Sequence, residues 1–274
     1  MRRRVFLGLL AVYFGLPLLA ALLYSVATRW TDTPLPDGYT LAHWTGVFAK
    51  PDVMAALGRS LVLSAVVVVI EIVLVVPAAY WSVVHNPRIG SIVQTISVIP
   101  FAIPWVVVGA GLQLVTKSVA PELFGTFWLL AAATAAIAFP FMYRAVESSL
   151  LAAGAVRLSE AAATCGAGPA ATLIRVILPA IRGGVVSGAL LVIATAMNEF
   201  ALAKILTGVS YETLPLWSAR QFVSRTLGDP NALAVVTIFT FGLLFALSAL
   251  VVWLGRGRVS ASMATAPVQK GTTP

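Results

Sequence analysis

Apolar stretches recur along this chain, several of them at or above the roughly 20 residues that carry a helix across the hydrocarbon core of a bilayer. One such stretch has the centre Val66-Val-Val-Val-Ile70, and comparable runs lie near both ends. The pattern predicts an integral membrane protein of all-α class. Composition agrees: 59% of residues are hydrophobic, 10% are charged, and the mean hydropathy is +0.96, far from a soluble domain. Cys165 is the single cysteine, which excludes an internal disulfide or a cysteine cluster. His43 and His85 lie far apart in sequence and suggest no metal site. The formal charge of +8 sits in loops and tails without interleaved aromatics, so it reads as membrane topology and not as nucleic-acid binding.

In chain order, Arg2-Arg3-Arg4 precede an apolar run over 5–27. The charged start resembles a signal peptide, but the apolar part is too long and lacks a convincing small-residue cleavage site, which favours a retained first span. The following loop carries turn formers at Pro34, Pro36-Asp37-Gly38 and Pro51-Asp52, with Trp30, Tyr39 and Trp44 expected to rest at an interface. Span two is expected over 57–84 and contains Glu71, which is either a neutral or paired acid inside a helix bundle or a lining residue of a conducting path. After the turn at His85 comes span three, 91–115, where Pro100 and Pro104 each remove an amide donor and predict a bent or discontinuous helix. Span four, 124–142, has Pro140 near its end.

Span five, 183–205, opens with Gly184 and Gly188, four apart with Ser187 beside them, a small-residue face for close helix contact. Near its end stand Asn198, Glu199 and Lys204. The first two either line a cavity that takes a cationic or hydrogen-bonding solute, or cap the chain near an interface and pair with Lys204. A loop follows, with a short interfacial helix expected from Leu216 to Leu227, then span six over 232–254 and a flexible tail over 255–274. Six spans put both termini on one side. With that side cytoplasmic, eleven of the 18 Lys and Arg residues fall in the tails, the His85 turn and the loop 143–182, which is the arrangement expected of basic residues.

The loop 143–182 is the longest polar interruption. Within it, Arg157 to Cys165 is a run of helix formers with one acid, Glu160, and three successive alanines from Ala161, ended by Gly166 and by Gly168-Pro169. A second short helical run is expected to end at Leu178-Pro179. The chain holds no phosphate-cradling Gly-x4-Gly-Lys-Ser/Thr loop, no Ser/His/Asp set and no paired carboxylates in a soluble domain. A bundle with bent helices, a structured protrusion and no chemistry of its own reads as a pore subunit driven from outside.

The residues of the protrusion carry a resemblance. Glu160-Ala-Ala-Ala-Thr-Cys-Gly166, continuing to Val176-Ile-Leu-Pro179, resembles the signature loop of permease subunits of type I binding-protein-dependent ABC importers. Glu160, Ala161, Ala162, Gly166, Leu178 and Pro179 match that pattern, and Val176 stands in place of isoleucine. The resemblance implies a six-span bundle in the bacterial inner membrane with a cytoplasmic coupling helix between spans four and five. It places Arg157, Leu158, Glu160 and the neighbouring alanines in a groove of an ATPase, with Glu160 making a polar or ionic contact and Gly166 permitting the turn. It implies two ATPase subunits, a second permease subunit, identical or homologous, and an extracytoplasmic solute-binding protein as partners. ATP and Mg2+ belong to the ATPase; this chain is expected to bind no cofactor and to catalyse nothing.

For the solute, the third span and the Glu212-Thr-Leu-Pro215 loop resemble permeases for polyamines and aminoethylphosphonate, whereas Asn198-Glu-Phe200 resembles a segment of sugar permeases. Glu71 and Glu199 lean towards an amino-containing solute, since carboxylates offset positive charge; with Pro100, Pro104 and Asn198 they make up the candidate path. An ion-coupled secondary transporter that uses Glu71 and Glu199 is the alternative of a different class.

Overall fold

The structure is a computed structural model that describes residues 2–30, 33–97, 99–223 and 229–263. Among these residues the secondary structure is helical apart from one isolated bridge between Ala27 and Tyr39. The α-helices are α1 (Arg2–Val26), α2 (Ala42–Phe48), α3 (Pro51–Val84), α4 (Pro87–Ile96), α5 (Ile99–Ala102), α6 (Trp105–Val119) and α7 (Phe127–Ala152). They continue with α8 (Ala155–Thr164), α9 (Pro169–Thr172), α10 (Leu178–Met197), α11 (Leu214–Val223) and α12 (Pro230–Met263). A π-type turn at Leu173–Ile177 joins α9 to α10, so that Pro169–Met197 runs as one helix of 29 residues.

Among the described residues five helices are long and apolar enough to cross a membrane: Val5–Val26, Pro51–Val84, Phe127–Ala152, Pro169–Met197 and Pro230–Leu250. The expected third span does not form one helix. It is divided into α4, α5 and α6, the last a shorter apolar helix of 15 residues. The division falls at the two prolines, neither of which can donate into the ladder. Trp105 Nε1 donates to the freed Pro100 carbonyl at 3.3 Å, which satisfies one acceptor at the break.

Other helix ends differ from the sequence reading for local reasons. Span two begins six residues earlier than expected, because Pro51 takes the first helical position, where a missing N–H costs nothing, and Asp52 lies in the first turn. Pro140 does not end α7, which continues to Ala152 and takes the first ten residues of the expected loop into the bundle. Pro179 does not stop a helix either. The widened π-type turn just before it changes the bonding partner of each amide, and the proline sits at the start of α10. At its other end α10 stops at Met197, before Asn198 and Glu199, and a second π-type turn covers Ala203–Thr207. Helix α12 extends to Met263, so the first part of the expected tail is helical; residues 264–274 lie outside the described residues.

The core is the packing of α3, α7 and α10, through Leu63, Val67, Leu130, Ala138, Ile181 and Val192. The approach of α10 to α7 is set by two glycines. A Cβ on Gly184 would lie 2.8 Å from the Ala145 carbonyl oxygen, and one on Gly188 would lie 2.7 Å from Met142 Sδ. The small-residue face therefore meets α7, while Ser187 is exposed beside it. Outward faces are apolar and exposed, with Val69, Val73 and Leu74 on α3 and Val106 and Val107 on α6. Such faces are stable against lipid tails, which are as apolar as the side chains themselves. Trp44 is half-buried and packs in a second cluster with Val47, Val53 and Trp217 instead of standing free at an interface.

The three loops assigned to one side of the membrane meet at one end of the bundle. Trp217 Nε1 donates to Asp52 at 2.7 Å, Arg59 Nε donates to the Glu212 carbonyl at 2.6 Å, and Arg220 Nε lies 3.0 Å from Glu212. Lys50 pairs with Asp229 at 4.0 Å, and Ser210 Oγ donates to the Gly125 carbonyl at 3.0 Å. Burial pushes the Tyr211 phenol above its usual range, against the pull of the Arg59 guanidinium. All ion pairs among the described residues lie at this end. At the opposite end Arg88, Arg144, Arg157, Arg175 and Arg182 are exposed, and none is salt-bridged to a described residue.

Candidate functional site

Helix α8 is held at both ends by glycines in left-handed conformations. Gly154, with φ 65°, turns the chain out of α7, and Gly166, with φ 80°, turns it towards α9. Neither position is crowded, so the backbone angle and not lack of space calls for glycine. The C-terminus closes as a Schellman motif: Ala167 N donates to the Ala162 carbonyl at 3.0 Å and Gly166 N to the Ala163 carbonyl at 2.9 Å. Gly168-Pro169 then starts the next helix, with proline at its first position.

The helix has two faces. Ala155 and Ala162 are buried, Leu158 packs against the core, and Ser159 Oγ lies 3.1 Å from Tyr80 OH of α3. The opposite face, with Arg157, Glu160, Ala161, Ala163 and Thr164, is exposed. Among the described residues Glu160 and Arg157 make no ion pair, and the acid is exposed at the surface. Leu178 and Pro179 stand apart from that face, at the start of α10, where Leu178 packs on the core and Pro179 is exposed.

The residues of the expected path do not come together as one group. Glu71 sits in the middle of α3 between core residues Val67 and Val75; it is 2% exposed, and its Oε2 has no hydrogen-bond partner. Pro100 and Pro104 flank the break in the third segment. Asn198 and Glu199 point to different surroundings. Asn198 is exposed, donates to the Ala194 carbonyl at 2.8 Å, and lines a cavity of about 550 Å³ between α10, α11 and α12 with Phe200, Thr237 and Thr240. Glu199 is buried and accepts from the Leu202 amide, capping the turn that follows. Lys204 does not pair with it and lies over the Phe200 ring, 5.8 Å from its centroid.

Sequence reading passed over a polar network beside α8. Tyr143 OH donates to Glu147 Oε1 at 3.1 Å and lies 3.3 Å from Ser82 Oγ, and Gln94 Nε2 donates to the same Glu147 oxygen at 2.8 Å. The i,i+4 spacing of Tyr143 and Glu147 was visible, but only as two members of a stretch read as a loop. Among the described residues no group of three His, Cys, Asp or Glu side chains could hold a metal ion.

Comparison with known proteins bears on the fold and the family. A Salmonella choleraesuis protein named for 2-aminoethylphosphonate transport (PhnV) is 27% identical over 251 residues, covering 90% of this chain and 93% of the relative. The spermidine/putrescine transport system permease PotC of Haemophilus influenzae is 32% identical over 125 residues, covering 46% of this chain and 48% of its own. The crystal structure of a bacterial ABC transporter involved in import of the acidic polysaccharide alginate contains a chain of the same fold. Its TM-score is 0.70 at 15% identity, covering 91% of this chain and 93% of that one. The family of binding-protein-dependent transport system inner membrane components matches residues 71–259, a stretch that holds α8, the core of α7 and α10 and the broken third segment, and the chain belongs to that family as a non-catalytic permease subunit of the type I ABC importers.

Proposed function

We propose that this permease subunit takes solute from a binding protein at the ion-paired end of its bundle and is driven at the opposite end by an ATPase docked on α8. The observation that carries this reading is the two-faced geometry of α8, which buries Ala155 and Ala162 and meets α3 through Ser159 while Glu160 and its neighbours stand exposed. A docked motor then finds a rigid, smooth helix whose acid can meet a basic or polar group. The unpaired arginines near α8 support the cytoplasmic assignment of that end, and with it a cytoplasmic N-terminus in an inner membrane. Crossing by the divided segment α4–α6 would complete six spans. A second permease subunit, identical or homologous, and a second ATPase complete the transporter. Family membership displaces the reading as an ion-coupled secondary transporter.

For the solute we propose a small amino-containing molecule of the 2-aminoethylphosphonate or polyamine type. Support comes from relatives named for those solutes, one of which covers most of this chain. ATPase activity of the complex in lipid, with the partner ATPase and binding protein, tests both parts. Stimulation by 2-aminoethylphosphonate or spermidine, and not by a sugar, supports the solute class; stimulation by a sugar alone overturns it. Glu160→Arg reverses an exposed charge, so insertion is unchanged while ATPase co-purification falls. Normal co-purification and transport by that variant removes Glu160 from the docking contact.

A further inference from the structure

One hydrogen bond joins α8 to a membrane-crossing helix by side chains alone, and it is the contact of Ser159 Oγ with Tyr80 OH at 3.1 Å. The other side-chain hydrogen bond described for α8, from Thr164 to the Ala161 carbonyl, stays within the helix. Two residues beyond Tyr80 on α3 is Ser82. At about 100° per residue the two side chains leave opposite faces of α3. Tyr80 faces α8, and Ser82 faces Tyr143 of α7.

The Ser82 hydroxyl has a single proton and two acceptors within reach, the Ala79 carbonyl at 2.9 Å and the Tyr143 oxygen at 3.3 Å. The Tyr143 proton is directed to Glu147 at 3.1 Å, so its oxygen is free to accept. Glu147 Oε1 also receives Gln94 Nε2 from α4 at 2.8 Å. Ser82, Tyr143 and Glu147 are all buried, so breaking any of these bonds without replacement leaves a polar group unsatisfied. Helix α4 leads directly into α5 and the break at Pro100 and Pro104.

We infer that Ser159–Tyr80 and Ser82–Tyr143–Glu147–Gln94 form a relay through one turn of α3, by which displacement of α8 repositions α4 and the broken segment behind it. The inference rests on the reading of α8 as the ATPase-docking helix. Its residues are positioning residues that act through one another and not on solute. The choice open to the Ser82 proton supplies two discrete arrangements: directed to Tyr143, it ties α3 to α7 and so, through Glu147 and Gln94, to α4; directed to the Ala79 carbonyl, it releases α3 from the α7–α4 pair, which stays joined through Glu147 and Gln94.

Hydrogen exchange on the permease–ATPase complex tests the relay without a solute. Deuterium uptake of residues 87–97 is compared between the nucleotide-free complex and the complex trapped with ATP and vanadate, and uptake of 155–164 reports docking in the same samples. In the unaltered complex α8 is protected by the ATPase and 87–97 responds to trapping. Ser159→Ala and Tyr80→Phe each leave α8 protected but reduce the response of 87–97 about fivefold, the loss of one hydrogen bond, and Tyr143→Phe, which removes two, reduces it at least as much. Ser159→Thr, which keeps the hydroxyl, restores it, as a role in mere stability would not require. If α8 gains no protection in the unaltered complex, the docking reading fails and the relay with it. If α8 is protected but 87–97 does not respond, or responds equally in all variants, docking stands and the relay is overturned.

Discussion

Substituting Gly184 by alanine isolates the close approach of α10 to α7. The added Cβ would overlap Ser149 Cβ and would lie 2.8 Å from the Ala145 carbonyl oxygen, a backbone atom, and 2.7 Å from Ser149 Oγ. The hydroxyl can rotate away, but Ser149 Cβ and the carbonyl move only if the helix moves. An ordinary contact begins near 3.4 Å, so the helices must separate by about an ångström, and overpacking of that kind costs about 1–3 kcal/mol. Against this, replacing a mid-helix glycine by alanine gains about 0.5–1 kcal/mol of backbone entropy. The neighbouring Gly183→Ala is the internal control, because its Cβ meets nothing within 4 Å. It has the helix gain alone, so the difference between the two variants is the overpacking itself. Thermal unfolding of the purified protein in one detergent, followed by tryptophan fluorescence, measures that difference. Gly183→Ala melts at or above the original temperature, and Gly184→Ala melts several degrees lower. Equal melting of the two variants would refute the close α7–α10 contact and the role of the glycine in it.

Other expectations follow from the same geometry. Asp52→Ala removes the acceptor of Trp217 Nε1 at 2.7 Å and the partner of Arg220 at 3.5 Å. It should speed hydrogen exchange of 214–223 and cost about 1–2 kcal/mol, and unchanged exchange would show that α11 is held by apolar packing alone. Cys165 is exposed at the end of α8 and is the sole cysteine, so maleimide labels it in the isolated permease and is excluded once the ATPase binds; equal labelling in the complex would place docking elsewhere. Glu199→Gln keeps an oxygen for the Leu202 amide, so assembly is retained. A fall in uptake by that variant assigns the charge a part in transport, whereas unchanged uptake leaves the side chain as a cap only.

Much of this molecule could be read from local sequence, because local chemistry decides the features concerned. Long apolar runs specify membrane helices without reference to any partner, since the backbone must bond to itself in lipid. Glycine at 154 and 166 and proline at 169 specify turns by their own torsional limits, and Pro100 with Pro104 specifies a break in the third segment. Where local signals were read too strongly, packing prevailed. Pro140 looked like a terminus, but α7 continues because its neighbours bury Met142, Tyr143 and Val146 beyond it. Pro179 looked like a stop, but the π-type turn before it carries the chain into α10.

Partnership between distant residues was beyond the reach of sequence. Asn198 and Glu199 are adjacent in the chain, yet one lines a cavity and the other is a buried cap, because the helix ends between Met197 and Asn198 and the backbone turns. Tyr80 and Ser159 are 79 positions apart, and Gln94 and Glu147 are 53 apart. No periodicity links such pairs. Local signals along the chain suffice for the membrane, the helical class and a short helix between two apolar segments. What that helix touches is set by packing, since a hydrogen bond depends on ångström-scale approach of groups whose separation along the chain carries no information about it.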